Sequence, residues 1–173
     1  DEASIENQSF YVKARHEIND NWELWVNAGV YETKSFGRYA PVPDGSAFSG
    51  TGLPISASSP NNPSNPASPL YDPANWATPQ TVHWRHRFDA LGNRDNSITT
   101  TNTSFEVGTT GQVGSAEVEF GITRANSNSV NIGRNYLLRS AAASAVESGS
   151  YNLADPYNSS PAVLNSLRVT TNR

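Results

Sequence analysis

Prolines are segregated in this chain, and no other feature limits its folds as much. Nine of the eleven fall between Pro41 and Pro79, and the segments flanking that stretch hold none. Proline has no N–H and cannot sit in a paired central strand. The flanks instead alternate apolar and polar residues one by one, the period of a two-faced β-strand. Phe10, Val12, Ala14 and Ile18 share one parity, with His16 among them, while Tyr11, Lys13, Arg15 and Glu17 take the other. Asn19-Asp20-Asn21 suits a tight turn. Alternation then resumes with Trp22, Leu24, Val26, Ala28 and Val30 against Glu23, Trp25, Asn27, Gly29 and Tyr31. Residues 9–39 thus read as one long hairpin. A second hairpin is expected over 100–133, with Phe105, Val107, Val118, Phe120 and Ile122 on its apolar face and Gly111–Gly114 as its turn.

Residues 41–98 read as a long loop between the hairpins. Residues 134–165 read as another, with a short Ala-rich helix in Leu137–Ser148 closed by Gly149. Leu164–Val169 is expected to open a further strand. Loops this long count against a compact soluble domain. They are ordinary in an outer-membrane barrel, whose extracellular loops are long and whose periplasmic turns are short. The expected fold class is all-β: an antiparallel meander of long hairpins from a transmembrane β-barrel, with long extracellular loops containing a short helix. A soluble β-sandwich would alternate in the same way. The loop asymmetry favours the barrel. So does Trp22, which lies on the apolar face beside a short turn, where an interfacial aromatic girdle belongs.

Composition excludes several classes. The net charge of -4, with no basic run, argues against nucleic acid as a partner. Without cysteine there are neither disulfides nor thiolate metal sites. No run approaches the ~20 apolar residues of a membrane helix, a length that barrel strands of ~9–11 residues do not need.

Chemistry-bearing residues concentrate in the proline-rich segment. His83, Trp84, Arg85, His86 and Arg87 form a polar-aromatic cluster, and Tyr71, Trp76 and Phe48 lie upstream of it. Arg forks grip carboxylates and Trp stacks on sugars. The expected ligand-binding residues are therefore Tyr71, Trp76, His83, Trp84, Arg85 and Arg87. Because ion pairs are common, the favoured reading of the arginines themselves is a strand entry, paired with Glu106, Glu117 and Glu119 on the polar strand face. His83 and His86 have no third ligand at a recognised spacing. Glu117 and Glu119 could flank a glycosidic bond, but they equally suit a solvated wall. No Gly-x-Ser-x-Gly elbow exposes a nucleophile. Neither an enzyme nor a cofactor is expected.

Three stretches carry a family resemblance. The first is Val30-Tyr31-Glu32-Thr33-Lys34-Ser35 running into Tyr39-Ala40-Pro41. The second is Ile55-Ser56-Ala57-Ser58-Ser59-Pro60-Asn61-Asn62-Pro63, followed by Trp84-Arg85-His86-Arg87 and Gly92-Asn93-Arg94. The third is Ala145-Val146-Glu147-Ser148-Gly149-Ser150-Tyr151-Asn152-Leu153-Ala154-Asp155-Pro156. Together they resemble the mid-barrel region of TonB-dependent outer-membrane receptors. Ser64 stands where a Phe commonly follows Asn-Pro in that family. The resemblance implies part of a 22-stranded barrel, without its plug, that imports a scarce nutrient such as an iron chelate or an oligosaccharide. It implies a bacterial outer-membrane location. The implied partners are that nutrient, outer-membrane lipid, a surface lipoprotein, and a plug domain and TonB complex outside this segment. The alternative function is a secreted β-sandwich binding module of carbohydrate-binding or adhesin type.

Overall fold

The computed structural model describes residues 2–45 and 54–173. Phe48 lies outside the described residues. Strand is the dominant element, and the long strands are antiparallel hairpins in one sheet. Four strands carry that sheet: β1 (Glu2–Asn19), β2 (Trp22–Tyr39), β5 (Arg94–Val113) and β6 (Ala116–Leu137). A two-stranded sheet of β3 (Pro43–Asp44) and β4 (His86–Arg87) falls between β2 and β5, and β7 (Arg168–Asn172) comes last. The main sheet is ordered β1-β2-β5-β6-β7, a meander in which each long strand neighbours the next.

Both hairpins run further than alternation alone indicated, to 18 residues in β1 and β2 and to 20 and 22 in β5 and β6. The first turns at Asp20-Asn21, where the Asn19 side chain accepts from the Asn21 N–H at 2.9 Å. The second turn is not Gly111–Gly114. β5 continues to Val113, and the chain reverses at Gly114-Ser115. Gly114 takes a φ of 65°, the positive value a two-residue hairpin loop wants at its first position. Gly111 belongs to the strand because Trp22 covers it: a Cβ there would stand 2.3 Å from the Trp22 ring.

Among the described residues, two α-helices interrupt the strands. α1 (Arg139–Ser148) ends at Gly149, whose left-handed φ of 78° closes it. α2 (Pro161–Leu167) starts where Ser160 accepts from the Val163 N–H and proline fills the first turn. The strand expected from Leu164 therefore begins only at Arg168. The Ser-Pro start signal outweighs the short apolar run behind it. β7 pairs with the end of β6, with a bulge between Gly133 and Tyr136 where Asn135 takes a φ of 59°.

The chain divides into two compact units. The hairpin unit comprises Ala3–Phe36 and Ser97–Asn131. The loop unit comprises the described residues of Gly37–Asn96 and Ile132–Asn172. The buried apolar cluster lies in the loop unit: Ile55, Val82, Trp84, Phe88, Leu91, Ala142, Ala145, Val146, Tyr151 and Leu167. In the hairpin unit the apolar face stays open. Phe10 is 66% exposed, Phe120 64% and Ile122 75%.

Candidate functional site

The proline-rich segment is packed by amide side chains. Asn61 Nδ2 donates to the carbonyls of Val146 (2.7 Å) and Tyr151 (2.8 Å), and its Oδ1 accepts from Leu153 N–H at 2.9 Å. Asn62 Nδ2 donates to Ser56 and Gln80 carbonyls, each at 2.7 Å. Its Oδ1 accepts from both the N–H and the hydroxyl of Ser64. Ser64 is fully buried, with its hydroxyl hydrogen-bonded to Asn62. Glu147 of α1 accepts from the Ser56 N–H and its hydroxyl. These bonds tie 55–65 to 145–153, so the two long loops share one core. Each buried polar group gains a partner, as burial demands.

Residues 81–88 alternate as a strand does. Val82, Trp84 and Phe88 are buried and His86 is half-buried, whereas Thr81, His83, Arg85 and Arg87 are exposed. Val82 bridges to Ile55, and β4 pairs with β3. Phe88 meets Trp84 and His86 edge-on, at centroid separations of 6.0 and 4.9 Å. His86 Nε2 and the Tyr151 hydroxyl lie 2.8 Å apart. Burial lowers the His86 pKa, with the Asp89 carboxylate acting against it. Burial, aided by Asp89, pushes the Tyr151 hydroxyl above its ordinary range. This pair is structural: it joins β4 to the segment that follows α1.

A cleft of about 400 Å³ opens beside this core. Trp76, His83, Trp84 and Arg85 line it, together with Gln80 and Leu153. Four of the six expected binding residues therefore converge. Trp84 contributes an edge, since most of it belongs to the core, while Trp76 is half-buried and His83 exposed. Tyr71 and Arg87 are exposed and are not among the lining residues. Arg87 Nη1 donates to the Pro41 carbonyl at 2.9 Å. That corrects the expectation that it pairs with the strand acids. His86–Arg87 pair with Pro43–Asp44 in a small sheet of their own, so Arg87 finds a backbone partner there. Glu106 instead accepts from Asn27 at 3.0 Å.

The sequence reading missed Gln80 and Leu153 as lining residues. The polar-apolar alternation across 81–88 could have revealed which members of the cluster face outward. Among the described residues, no group of three or more His, Asp or Glu could hold a metal ion. The cleft offers an indole, an imidazole and a guanidinium beside apolar wall, a set that suits a ligand with a flat or apolar body and an anionic or hydroxylated edge. No protein-family model, curated protein or solved structure matches the chain.

Proposed function

We propose that this chain is a barrel segment of a TonB-dependent outer-membrane transporter that imports a scarce nutrient, and that the cleft in the loop unit contacts the cargo. The observation that carries the membrane reading is the position and length of the open apolar band. Phe10–Ile18, Trp22–Val30, Thr103–Val113 and Ala116–Ile122 all adjoin the two short turns. The bands cover seven to eleven residues, against the ~9–11 that a tilted membrane strand requires. Beyond it the same face turns polar, with Gln8, Glu6, Glu32, Lys34, Arg124 and Asn126. A soluble sandwich would cover Leu24, Val118 and Phe120 with a second layer. Leu24 is 37% exposed and Phe120 64%, and an apolar surface so large and continuous needs an apolar environment.

Five strands are fewer than the roughly eight of the smallest membrane barrels. Closure in this reading therefore draws on further strands, which would also remove the open edges of β1 and β7. The TonB assignment rests on the three resembling stretches. Cell fractionation tests the reading: the complete protein is expected in the outer membrane, and residues 1–173 expressed alone are expected to need detergent. A folded, monodisperse monomer of 1–173 in plain buffer would overturn it and favour the sandwich module.

A further inference from the structure

We propose that the loop-unit cleft binds a small aryl carboxylate, an aromatic ring carrying one carboxylate on a short arm. The proposal rests on reading that cleft as the cargo contact, and it names the chemistry the cleft selects. The floor is apolar. Ile55, Val82 and Trp84 line it as buried members of the core, and Trp76 and Leu153 pack against the same core as walls. Asn61 also lines the cleft, yet its amide already bonds Val146, Tyr151 and Leu153. The depth therefore offers a guest little hydrogen bonding, and a hydroxyl-covered guest would lose its water there without replacement. A flat ring needs no such replacement and gains contact with indole. The volume of about 400 Å³ lies near the low end for small-molecule pockets, which suits a single ring rather than a bulky chelate.

Charge stands only at the rim. His83 and Arg85 both face outward from the extended segment, roughly 7 Å apart along it. Among the described residues no acid lines the cleft. The acids of the adjoining segments are held by partners of their own. Asp72 accepts from the Ala74 N–H and the Asn75 amide, and Asp155 accepts from the Asn158 amide. Glu147 accepts from Ser56, and Asp89 from the Ala90 N–H and the Tyr157 hydroxyl. The ionisable groups of the lining are thus an imidazole and a guanidinium that stays cationic. Arg85 carries five N–H donors, enough to receive a carboxylate beside its contacts within the chain. A cation at the mouth of an apolar slot selects a guest whose charge sits at one end and whose body is apolar. A cationic guest would meet like charge there, and a neutral one would gain no ion pair.

The test is ¹⁹F NMR of the complete receptor in detergent, labelled with 5-fluorotryptophan, with the Trp76 signal identified by its loss in Trp76→Phe. Cinnamate is expected to shift that signal saturably. Cinnamamide, which keeps the ring and lacks the charge, is expected to bind about tenfold more weakly. Arg85→Gln, at an exposed position, is expected to weaken cinnamate binding by about the same factor and to leave cinnamamide unchanged. That contrast separates recognition of the charge from a disturbed loop. Trp76→Leu, followed by equilibrium dialysis, is expected to weaken both ligands about tenfold. No shift at millimolar cinnamate would overturn the proposal. So would equal affinities for cinnamate and cinnamamide, or parental cinnamate affinity in Arg85→Gln. A Trp76 signal moved by maltohexaose and not by cinnamate would overturn it too. A soluble protein that binds cinnamate at Trp76 would defeat the transporter reading and keep the ligand class, whereas a membrane-borne receptor with an unmoved Trp76 signal would defeat the ligand class alone.

Discussion

Asn61 holds more of the loop unit together than any apolar residue of similar size could. Its amide satisfies the carbonyls of Val146 and Tyr151 and the N–H of Leu153. Asn61→Ala strands all three, at a cost of about 3 kcal/mol. The expected readout is faster hydrogen exchange at Leu153 and its neighbours, with the hairpin strands unaffected. His86 makes the same unit sensitive to acid. It faces Phe88, the Tyr151 hydroxyl and, by charge, Asp89. Burial keeps its folded-state pKa below the unfolded value, so the unfolded chain takes up the proton first as pH falls below about 6.5. Stability is thus full above that pH and declines as pH drops toward the folded-state value. Thermal melts at pH 7.5 and 5 are expected to show that decline, and His86→Gln to flatten it. None of this was legible in the sequence. Asn61, Asn62 and Ser64 read there as loop polarity, because a hydrogen bond between residues about ninety apart leaves no local pattern.

At the scale of elements, the strands were legible because period-two alternation needs only one open face and one wet one. Their outer ends were less so. β1 begins at Glu2, seven residues before the expected hairpin, in a mostly polar stretch whose one large apolar residue is Ile5, and β6 runs four residues past Gly133 to Leu137. α1 was legible from its alanines and its terminal glycine. α2 was missed because Leu164 and Leu167 resemble a strand start, while the deciding signal, Ser160-Pro161, lies upstream. Gly149 closes α1 at a φ where a side chain is strained, and a Cβ there would meet Pro60 at 2.9 Å. Gly149→Ala is expected to cost about 1–2 kcal/mol, seen as a lower denaturation midpoint of the loop unit.

For the whole molecule, the buried apolar cluster lies in the loop unit, while most of the exposed large apolar residues lie in the hairpin unit. A lysine tests the hairpin face directly. Phe120→Lys sits inside the apolar band, where a charge costs roughly 2–4 kcal/mol near the bilayer midplane. It is expected to reduce assembled, heat-modifiable barrel in the outer membrane. Asn126→Lys, on the same face but beyond the band, is expected to leave assembly unchanged. Equal effects of the two would contradict the bilayer reading. The candidate site was half legible: the residue types of the cleft stood out, but not which of them converge, since that depends on the shared core of two distant loops. That core has a consequence of its own. A body that buries its own apolar residues is portable. Spliced between the strand ends of an unrelated hairpin scaffold, the described residues of 41–93 and 138–167 are expected to keep their shape, and with it the cleft.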